Sequence, residues 1–252
     1  MRHTIEKIKE IVSRYGYGPS SIFMTEWNAS PSHRDLCHDT LYMASFIARN
    51  ICGNMDSIAS FGFWTASDLI EEFPLPAATF HGGMGLMTTN GVRKAGYYAF
   101  WLLSRMGDAK IAAGPGYLIT SDERGYQLLL YHYCHFDPLY CSMDHSGITP
   151  VSRYNVFKDS FNKTVQISLT GLKACRYEIR EYVISRSHGS AFDAWVEMGA
   201  PENPDADEIV YLNQKSAPLY QRKMEVIQDA FMVQRCLTPH EVRLIMIQEN
   251  MD

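Results

Sequence analysis

Apolar residues in the first part of the chain alternate between helical spacing and short continuous runs. Helical spacing occurs at residues 4–15, 36–52 and 94–106, and a glycine directly follows each of these segments. Two short apolar runs, residues 21–25 and 58–64, separate the helices and are too short to be helices themselves. The resulting order of helix, strand, helix, strand, helix is typical of a parallel sheet covered by helices.

Two parallel strands do not make a complete sheet. A parallel sheet normally has both faces covered, and the open edges of its outer strands invite further pairing. We therefore expect residues 1–107 to form one slice of a larger α/β unit. Such a slice would associate with itself, pair with a complementary polypeptide, or be poorly ordered.

The pattern changes from about residue 108. Apolar and polar residues alternate with a period of two in several segments, which is typical of antiparallel strands with one wet face. One helix is expected near residues 205–214, in an acidic stretch. The predicted fold is an α/β part at 1–107 followed by an antiparallel β-sandwich at 108–252. The predicted strands of the sandwich are residues 117–120, 126–133, 164–169, 176–184 and 242–247.

Composition excludes some classes of protein. The 252 residues are 46% hydrophobic and carry a net charge of −5, which argues against a clustered basic face for nucleic acid. No apolar run reaches the length of about 18 residues that a membrane helix needs. The charged N-terminus lacks the apolar core of a signal peptide, and the six cysteines are scattered without a Cys-x-x-Cys pair. These features predict a cytoplasmic protein with reduced thiols.

Side chains that could bind or cleave a sugar follow the two predicted strands. Glu26 comes where the first strand ends, and Trp64 holds the equivalent place on the second. In (β/α)8 barrels the active site lies at the carboxyl ends of the strands, so a carboxylate there is a catalytic candidate. An indole face suits the C–H groups of a pyranose ring. Glu71 and Glu72 could accept hydrogen bonds from sugar hydroxyls, and the turn beginning at His81 could be flexible and approach the pocket.

Each of these residues also has a structural explanation. A single glutamate after a strand is usually solvated, and a single tryptophan is usually part of a core. The cluster at residues 33–39 could be taken for a metal site, but Cys37 and His38 would point about 100° apart on a helix. Because no second ligand pair follows, neither a metal nor another cofactor is expected.

Longer motifs carry a resemblance to a known family. The order and spacing of these motifs along the chain closely resemble those of glycoside hydrolase family 39. That family contains β-xylosidases and relatives of α-L-iduronidase. The resemblance covers essentially the whole chain. Its motifs are residues 23–30 (FMTEWNAS), 38–40 (HDT), 61–68 (FGFWTASD), 71–72 (EE), 80–86 (FHGGMGL), 177–182 (YEIREY), 188–195 (HGSAFDAW) and 237–244 (LTPHEVRL).

The resemblance implies roles for particular residues. Glu26 would be the nucleophile on barrel strand seven, Trp64 would line the sugar subsite on strand eight, and Glu71 or Glu72 would contact substrate hydroxyls. The family's acid/base glutamate lies in an Asn-Glu-Pro motif on strand four. This chain has no such motif, since residues 202–204 read Glu-Asn-Pro.

The implied protein is therefore the C-terminal part of a retaining β-xylosidase, comprising the last two β/α units of a (β/α)8 barrel and a β-sandwich. Retention of configuration needs two carboxyl groups about 5–5.5 Å apart. Without the acid/base we expect the chain alone to be inactive until a complementary polypeptide supplies it. The alternative is a non-catalytic carbohydrate-binding or scaffolding protein whose working part is the sandwich.

Overall fold

The computed structural model describes residues 1–18, 20–70 and 74–250. Its first part confirms the predicted order of helices and strands. A 3₁₀ helix at Leu36–Asp39 precedes the second helix, so that helix starts later than its apolar spacing indicated. The elements are α1 (Arg2–Arg14), β1 (Phe23–Trp27), α2 (Tyr42–Asn54), β2 (Ser60–Phe63) and α3 (Ala95–Leu103).

Strands β1 and β2 form a parallel pair, as predicted. Phe23 is opposite Ser60 and Trp27 is opposite Phe63, with an irregularity in register between them. Strand β1 ends two residues later than the apolar run suggested, so Glu26 lies within the strand and not after it. The apolar pattern stops early because Glu26 is solvent-exposed, whereas the backbone pairing continues to Trp27.

The second part is antiparallel throughout its described strands. A six-stranded sheet has the order β3-β4-β5-β10-β7-β8, and β6 pairs with β9 in a separate two-stranded sheet. Three short helices accompany the sheets: α4 (Pro138–Cys141), α5 (Ala191–Glu197) and α6 (Ala206–Lys215). The strands are β3 (Ala109–Gly114), β4 (Tyr117–Asp122), β5 (Gly125–Tyr131), β6 (Lys163–Thr170), β7 (Cys175–Ile184), β8 (Leu219–Ile227), β9 (Ala230–Leu237) and β10 (Val242–Glu249).

Three of these strands were absent from the prediction. Strands β3 and β8 are the two edges of the large sheet, and most of their side chains are exposed or half-buried. Strand β9 alternates buried with exposed residues, but Gln234 and Arg235 interrupt its apolar pattern. Edge strands need few apolar side chains, so a search for apolar periodicity fails to detect them.

The large sheet is covered on both faces. Leu129 and Leu244 pack with Ile47 and Leu102 from helices α2 and α3. The alternate residues, such as Leu130 and Ile245, pack against Val233 and its neighbours on the small sheet. This arrangement explains the continuous apolar runs of β5 and β10, because a strand buried on both sides has no polar face.

The segment between β5 and β6 returns to the first part of the chain. It carries helix α4 and then Arg153 and Tyr154, which reach the turns around the 3₁₀ helix. Strands β1 and β2 pair in parallel, and the described strands from β3 onwards pair antiparallel. None of the helices in the described ranges is long and apolar enough to span a membrane.

Candidate active site

An open groove of about 470 Å³ lies at the carboxyl ends of β1 and β2. Both strands end here because they run parallel, so their last residues share one edge. Glu26 and Trp64 line the groove together with Asn28, Ser30 and Met84. The structure therefore brings together the two residues that the sequence indicated most strongly. Their chemical roles remain predictions.

Glu26 and Trp64 differ from their neighbour Trp27 in exposure. Glu26 is exposed and Trp64 is half-buried, whereas Trp27 is 7% exposed and packs on Phe46 and Phe63. Trp27 also borders the groove, so an exposed carboxylate and a residue of the core meet at the end of β1. A carboxylate free in a groove beside a half-buried indole is available to a ligand.

Asn28 fixes the groove by joining three segments. Its side-chain nitrogen donates to the carbonyl of Trp64 and, at 3.1 Å, to the carbonyl of Met84. Its side-chain oxygen accepts from the backbone N–H of Ala29 at 2.7 Å. The peptide that follows Trp64 is cis. One amide side chain therefore holds the ends of both strands and the 82–86 turn in one arrangement.

The turn at residues 81–85 is buried, so the expectation that it is flexible is wrong. Gly82 has a φ of +79°, and a Cβ there would lie 2.7 Å from the backbone of Asp35. A Cβ on Gly85 would lie 2.2 Å from the backbone nitrogen of Asp68. These glycines permit close backbone approach and do not provide mobility.

His81 lies in the same turn but away from the groove. It is 6% exposed, and its Nδ1 lies 3.0 Å from the carbonyl oxygen of Ala78. Met84 is the residue of this turn that lines the groove. A direct contact between His81 and a sugar therefore remains a prediction. Glu71 and Glu72, also predicted to contact substrate, lie outside the described residues.

Four buried charged residues bond to the turns around the groove, and we call them the ion cluster: Asp39, Asp68, Lys94 and Arg153. Each is 0–1% exposed. The Lys94 ammonium is 2.6 Å from Asp39 and 2.8 Å from Asp68. Arg153 is 2.7 Å from Asp39. Two carboxylates and two cations give no net charge, which is the condition under which buried ions are tolerated.

The ion cluster holds the turns that surround the groove. Lys94 donates to the carbonyl of Gly83 at 2.9 Å, and Asp68 accepts from the N–H of Gly85 at 2.7 Å. Asp39 accepts from the N–H of Gly82 at 2.7 Å. Arg153 donates to the carbonyl oxygens of Leu36 and Phe80, at 2.9 and 2.6 Å.

Opposing effects set the protonation of these groups. Burial raises the pKa of Asp39, but Lys94 and Arg153 outweigh it and hold the pKa at about 2. Burial lowers the pKa of Lys94, but Asp39 and Asp68 outweigh it, so the pKa is raised above its usual value. Burial dominates at Asp68, whose pKa is raised. Asp39 and Lys94 thus stay ionised at neutral pH.

A second polar network connects the groove to helix α4. Ser30 donates to a carboxylate oxygen of Asp35 at 2.7 Å and lies 3.2 Å from Nε2 of His38. Nδ1 of His38 is 3.2 Å from the carbonyl oxygen of Gly82. Tyr140 donates to Asp35 at 2.9 Å. Burial lowers the pKa of His38, which favours the neutral imidazole.

Sequence reasoning missed the residues that support the groove. Asn28, His38 and Asp68 lie within the recognised motifs, and the resemblance also covers Lys94, but neither Lys94 nor Arg153 carries a local signal of burial. Arg153 follows the groove-forming residues by more than 60 positions, and only the fold brings it there. In the part of the chain that the structure describes, no group of three or more His, Cys, Asp or Glu side chains is arranged to hold a metal ion.

Comparison with known proteins agrees with the motifs. The β-xylosidase of Caldicellulosiruptor saccharolyticus is 27% identical over 92% of this chain and 45% of its own length. The β-xylosidase of Geobacillus stearothermophilus is 23% identical over 100% of this chain and 46% of its own length. The chain thus spans about half the length of these curated relatives.

Solved structures share the fold. A monomeric β-xylosidase from Caulobacter crescentus CB15 superposes with a TM-score of 0.84 at 22% identity, covering 97% of this chain and 49% of that one. Residues 1–229 match Glycosyl hydrolases family 39. That match covers most of the 252 residues. The chain therefore belongs to glycosyl hydrolase family 39.

Proposed function

We propose that the chain carries the nucleophile of a retaining β-xylosidase and that this nucleophile is Glu26. The observation that carries the proposal is the shared groove of Glu26 and Trp64 at the carboxyl edge of a parallel strand pair. In this proposal β1 and β2 are the last two strands of a (β/α)8 barrel. Their carboxyl ends are where such barrels place their chemistry.

The reaction would proceed in two displacements. The Glu26 carboxylate attacks the anomeric carbon and forms a glycosyl ester, while an acid protonates the leaving oxygen. The deprotonated acid then removes a proton from water, which attacks the same carbon, displaces the Glu26 carboxylate from the ester and restores the original configuration. Trp64 offers its indole face to the sugar ring, and Asn28 fixes the backbone that presents both side chains.

The second carboxyl group comes from outside the groove described above. Among the described residues that line this groove, Glu26 is the one with a carboxylate. General acid/base assistance contributes about 10²–10⁴-fold to rate, and positioning of the sugar contributes more. The chain alone is therefore inactive in this proposal, and a complementary polypeptide provides the acid/base and completes the pocket.

Exposed apolar surface on the first part of the chain supports such a partner. Strands β1 and β2 form a two-stranded sheet among the described residues. Each strand therefore has one open edge. Phe23 of β1 is 63% exposed, and Ile11 of helix α1 is 52% exposed. Apolar side chains beside open strand edges favour association, either with a complementary polypeptide or with a second copy of the chain.

The proposal is tested by assembly. The part of the Caldicellulosiruptor saccharolyticus β-xylosidase that this chain does not match serves as the complementary polypeptide, both mixed with the chain and fused to its N-terminus. The assembled protein should cleave an aryl β-xyloside with retention, and the chain alone should not. Glu26→Ala should remove the activity while leaving the assembly intact by size-exclusion chromatography. Activity that survives Glu26→Ala refutes the assignment, as does an assembled fusion that cleaves no xyloside.

A further inference from the structure

Two separate loops contribute walls to the groove of Glu26. The loop that follows β1 contributes Ser30, and we call residues 28–33 the first wall. The turn that contributes Met84 is the second wall, residues 82–85. Asn28 connects the walls, because it belongs to the first and donates to the Met84 carbonyl of the second at 3.1 Å. Another connection between the walls runs through the buried His38.

The His38 imidazole contacts both walls at once. His38 belongs to the 3₁₀ helix Leu36–Asp39 and is 3% exposed. Its Nε2 lies 3.2 Å from Oγ of Ser30 in the first wall. Its Nδ1 lies 3.2 Å from the carbonyl oxygen of Gly82 in the second wall. Because both nitrogens belong to one rigid ring, the ring determines how far apart these two wall atoms lie.

Neighbouring carboxylates hold the partners of His38 in place. Asp35 caps the 3₁₀ helix and accepts from the hydroxyl of Ser30 at 2.7 Å. Asp39, the residue after His38, accepts from the N–H of Gly82 at 2.7 Å. One short helix therefore anchors the hydroxyl of the first wall and both polar groups of the Gly82 residue in the second wall.

Core packing alone does not account for a histidine at this position. A buried polar side chain costs free energy unless it finds hydrogen-bond partners, and an apolar side chain would fill the space without that cost. Both ring nitrogens of His38 lie within hydrogen-bond distance of a wall of the groove. The two contacts with the walls therefore explain the polar side chain better than the space it fills.

We propose that His38 is a positioning residue, which sets the spacing of the two walls and through it the fit of a sugar in the groove. His38 is not among the described residues that line the groove, so it acts through the walls. The Met84 carbonyl of the second wall also accepts from the N–H of Thr65 at 3.2 Å, which extends the effect to the residue after Trp64. The consequence for turnover rests on the proposed function, whereas the consequence for the walls does not.

Two variants of His38 separate its two contacts. The side-chain amide of asparagine reaches about the position of Nδ1, and that of glutamine reaches about the position of Nε2. His38→Asn should therefore keep the contact with Gly82 and release Ser30, and His38→Gln should do the reverse. Ser30→Ala removes the first-wall contact from the other side. The matched control is His188→Asn, because Nδ1 of His188 lies 3.0 Å from Oγ of Ser187 in an exposed contact outside the groove.

Hydrogen exchange of the chain alone, followed by mass spectrometry, measures each wall directly. His38→Asn and Ser30→Ala should speed exchange in the first wall by about two- to ten-fold, the effect of losing one hydrogen bond. His38→Gln should speed exchange in the second wall instead, and strand β5 should keep the wild-type rate throughout. The proposal is refuted if neither wall responds, if both walls respond alike to both His38 variants, or if exchange rises along the whole chain.

Kinetics of the chain assembled with the complementary polypeptide measure the consequence for the substrate. The walls hold the sugar both before and during the reaction, so each His38 variant should raise KM for an aryl β-xyloside by about three- to ten-fold and change kcat by less than about two-fold. Ser30→Ala combined with His38→Asn should be no worse than either alone, because both break one contact. His188→Asn should keep the wild-type constants. A lower kcat at unchanged KM would show that His38 only supports folding.

The two experiments fail independently of each other. An assembled wild-type chain that cleaves no xyloside contradicts the proposed function, and hydrogen exchange then still decides whether His38 sets the spacing of the walls. If exchange changes as expected in an active assembly but KM stays at the wild-type value in every His38 variant, the role of His38 in positioning the substrate is refuted and the proposed function stands.

Discussion

The groove of Glu26 and the ion cluster share the turn at residues 82–85 but differ in solvent exposure. Glu26 is exposed, and Trp64 is half-buried, so both can change partners. Asp39, Asp68, Lys94 and Arg153 are 0–1% exposed and are bonded to one another and to the turns around the groove. In our proposal the two regions have different roles, because the groove would carry the chemistry and the ion cluster would carry stability. Substitutions in the two regions should therefore affect different measurements.

Removing one charge from the ion cluster should have the largest effect on stability. Arg153→Met leaves Asp39 without one of its cations and three carbonyl oxygens without their donor. Breaking a buried ion pair in this way costs about 3–5 kcal/mol of unfolding free energy. Urea denaturation measures the loss. Arg14→Met is the matched control, because its ion pair with Glu10 is exposed on both sides and should contribute less than about 1 kcal/mol. Equal effects of the two variants would contradict the division of roles.

Acid should destabilise the chain through another buried group, His240, which lies 3.0 Å from Ser45 and 4.4 Å from the Phe157 ring centroid. Burial, with His132 and Arg186 adding, lowers its pKa from 6.5 to about 3. Because the folded pKa is depressed, the unfolded chain takes up the proton first. Stability should therefore fall by up to about 4 kcal/mol as the pH drops from 6.5 towards 3.

His240→Asn should flatten this acid dependence. Its backbone φ is +63°, a conformation that asparagine tolerates, so the substitution removes the imidazole without adding backbone strain. Unfolding free energies measured by urea at several pH values give the slope. An unchanged slope between pH 6.5 and 3 would show that His240 is not the group responsible.

Adding a methyl group beneath the groove should have an intermediate effect. Gly85→Ala places a Cβ 2.2 Å from the backbone of Asp68, so the turn must shift, at a cost of about 2–3 kcal/mol. Gly53→Ala is the matched control, since it lies in helix α2 with no atom within 4 Å of the added Cβ. There alanine should stabilise by about 0.5–1 kcal/mol. Thermal unfolding should therefore show opposite signs for the two variants.

The smallest effect on stability should come from the proposed nucleophile itself. Glu26→Gln changes an exposed side chain on an open groove, so the unfolding free energy should stay within about 0.5 kcal/mol. A loss of several kcal/mol would mean that Glu26 is a structural residue. It would then belong with the ion cluster and not with the groove.

The sequence predicted the features that depend on local periodicity and strand direction. Parallel β1 and β2 bring Glu26 and Trp64 to one edge, and that followed from two apolar runs separated by helices. The edge strands β3 and β8 were missed because their side chains are mostly exposed or half-buried. The turn at 81–85 was expected to be flexible because it is rich in glycine. Its burial depends on Asp35, Asp68 and Lys94, which approach it only in three dimensions.

Arg153 illustrates most clearly which features the sequence alone does not predict. Nothing in its local sequence distinguishes it from a solvated arginine, yet it is 0% exposed and clamps two turns of the first part of the chain. Its position follows from the return of the 134–157 segment towards the 3₁₀ helix. Long-range packing of this kind leaves no periodic signal in the local sequence.

Covalent trapping tests the central proposal, that Glu26 is the nucleophile, most directly. The chain assembled with the complementary polypeptide is treated with an activated 2-deoxy-2-fluoro-β-xyloside, which slows breakdown of a glycosyl ester, and the digested protein is analysed by mass spectrometry. The proposal predicts one fluoroxylosyl adduct on the peptide that contains Glu26, and no adduct in Glu26→Gln. An adduct on another carboxylate of the assembly, or turnover that inverts the anomeric configuration, would contradict it.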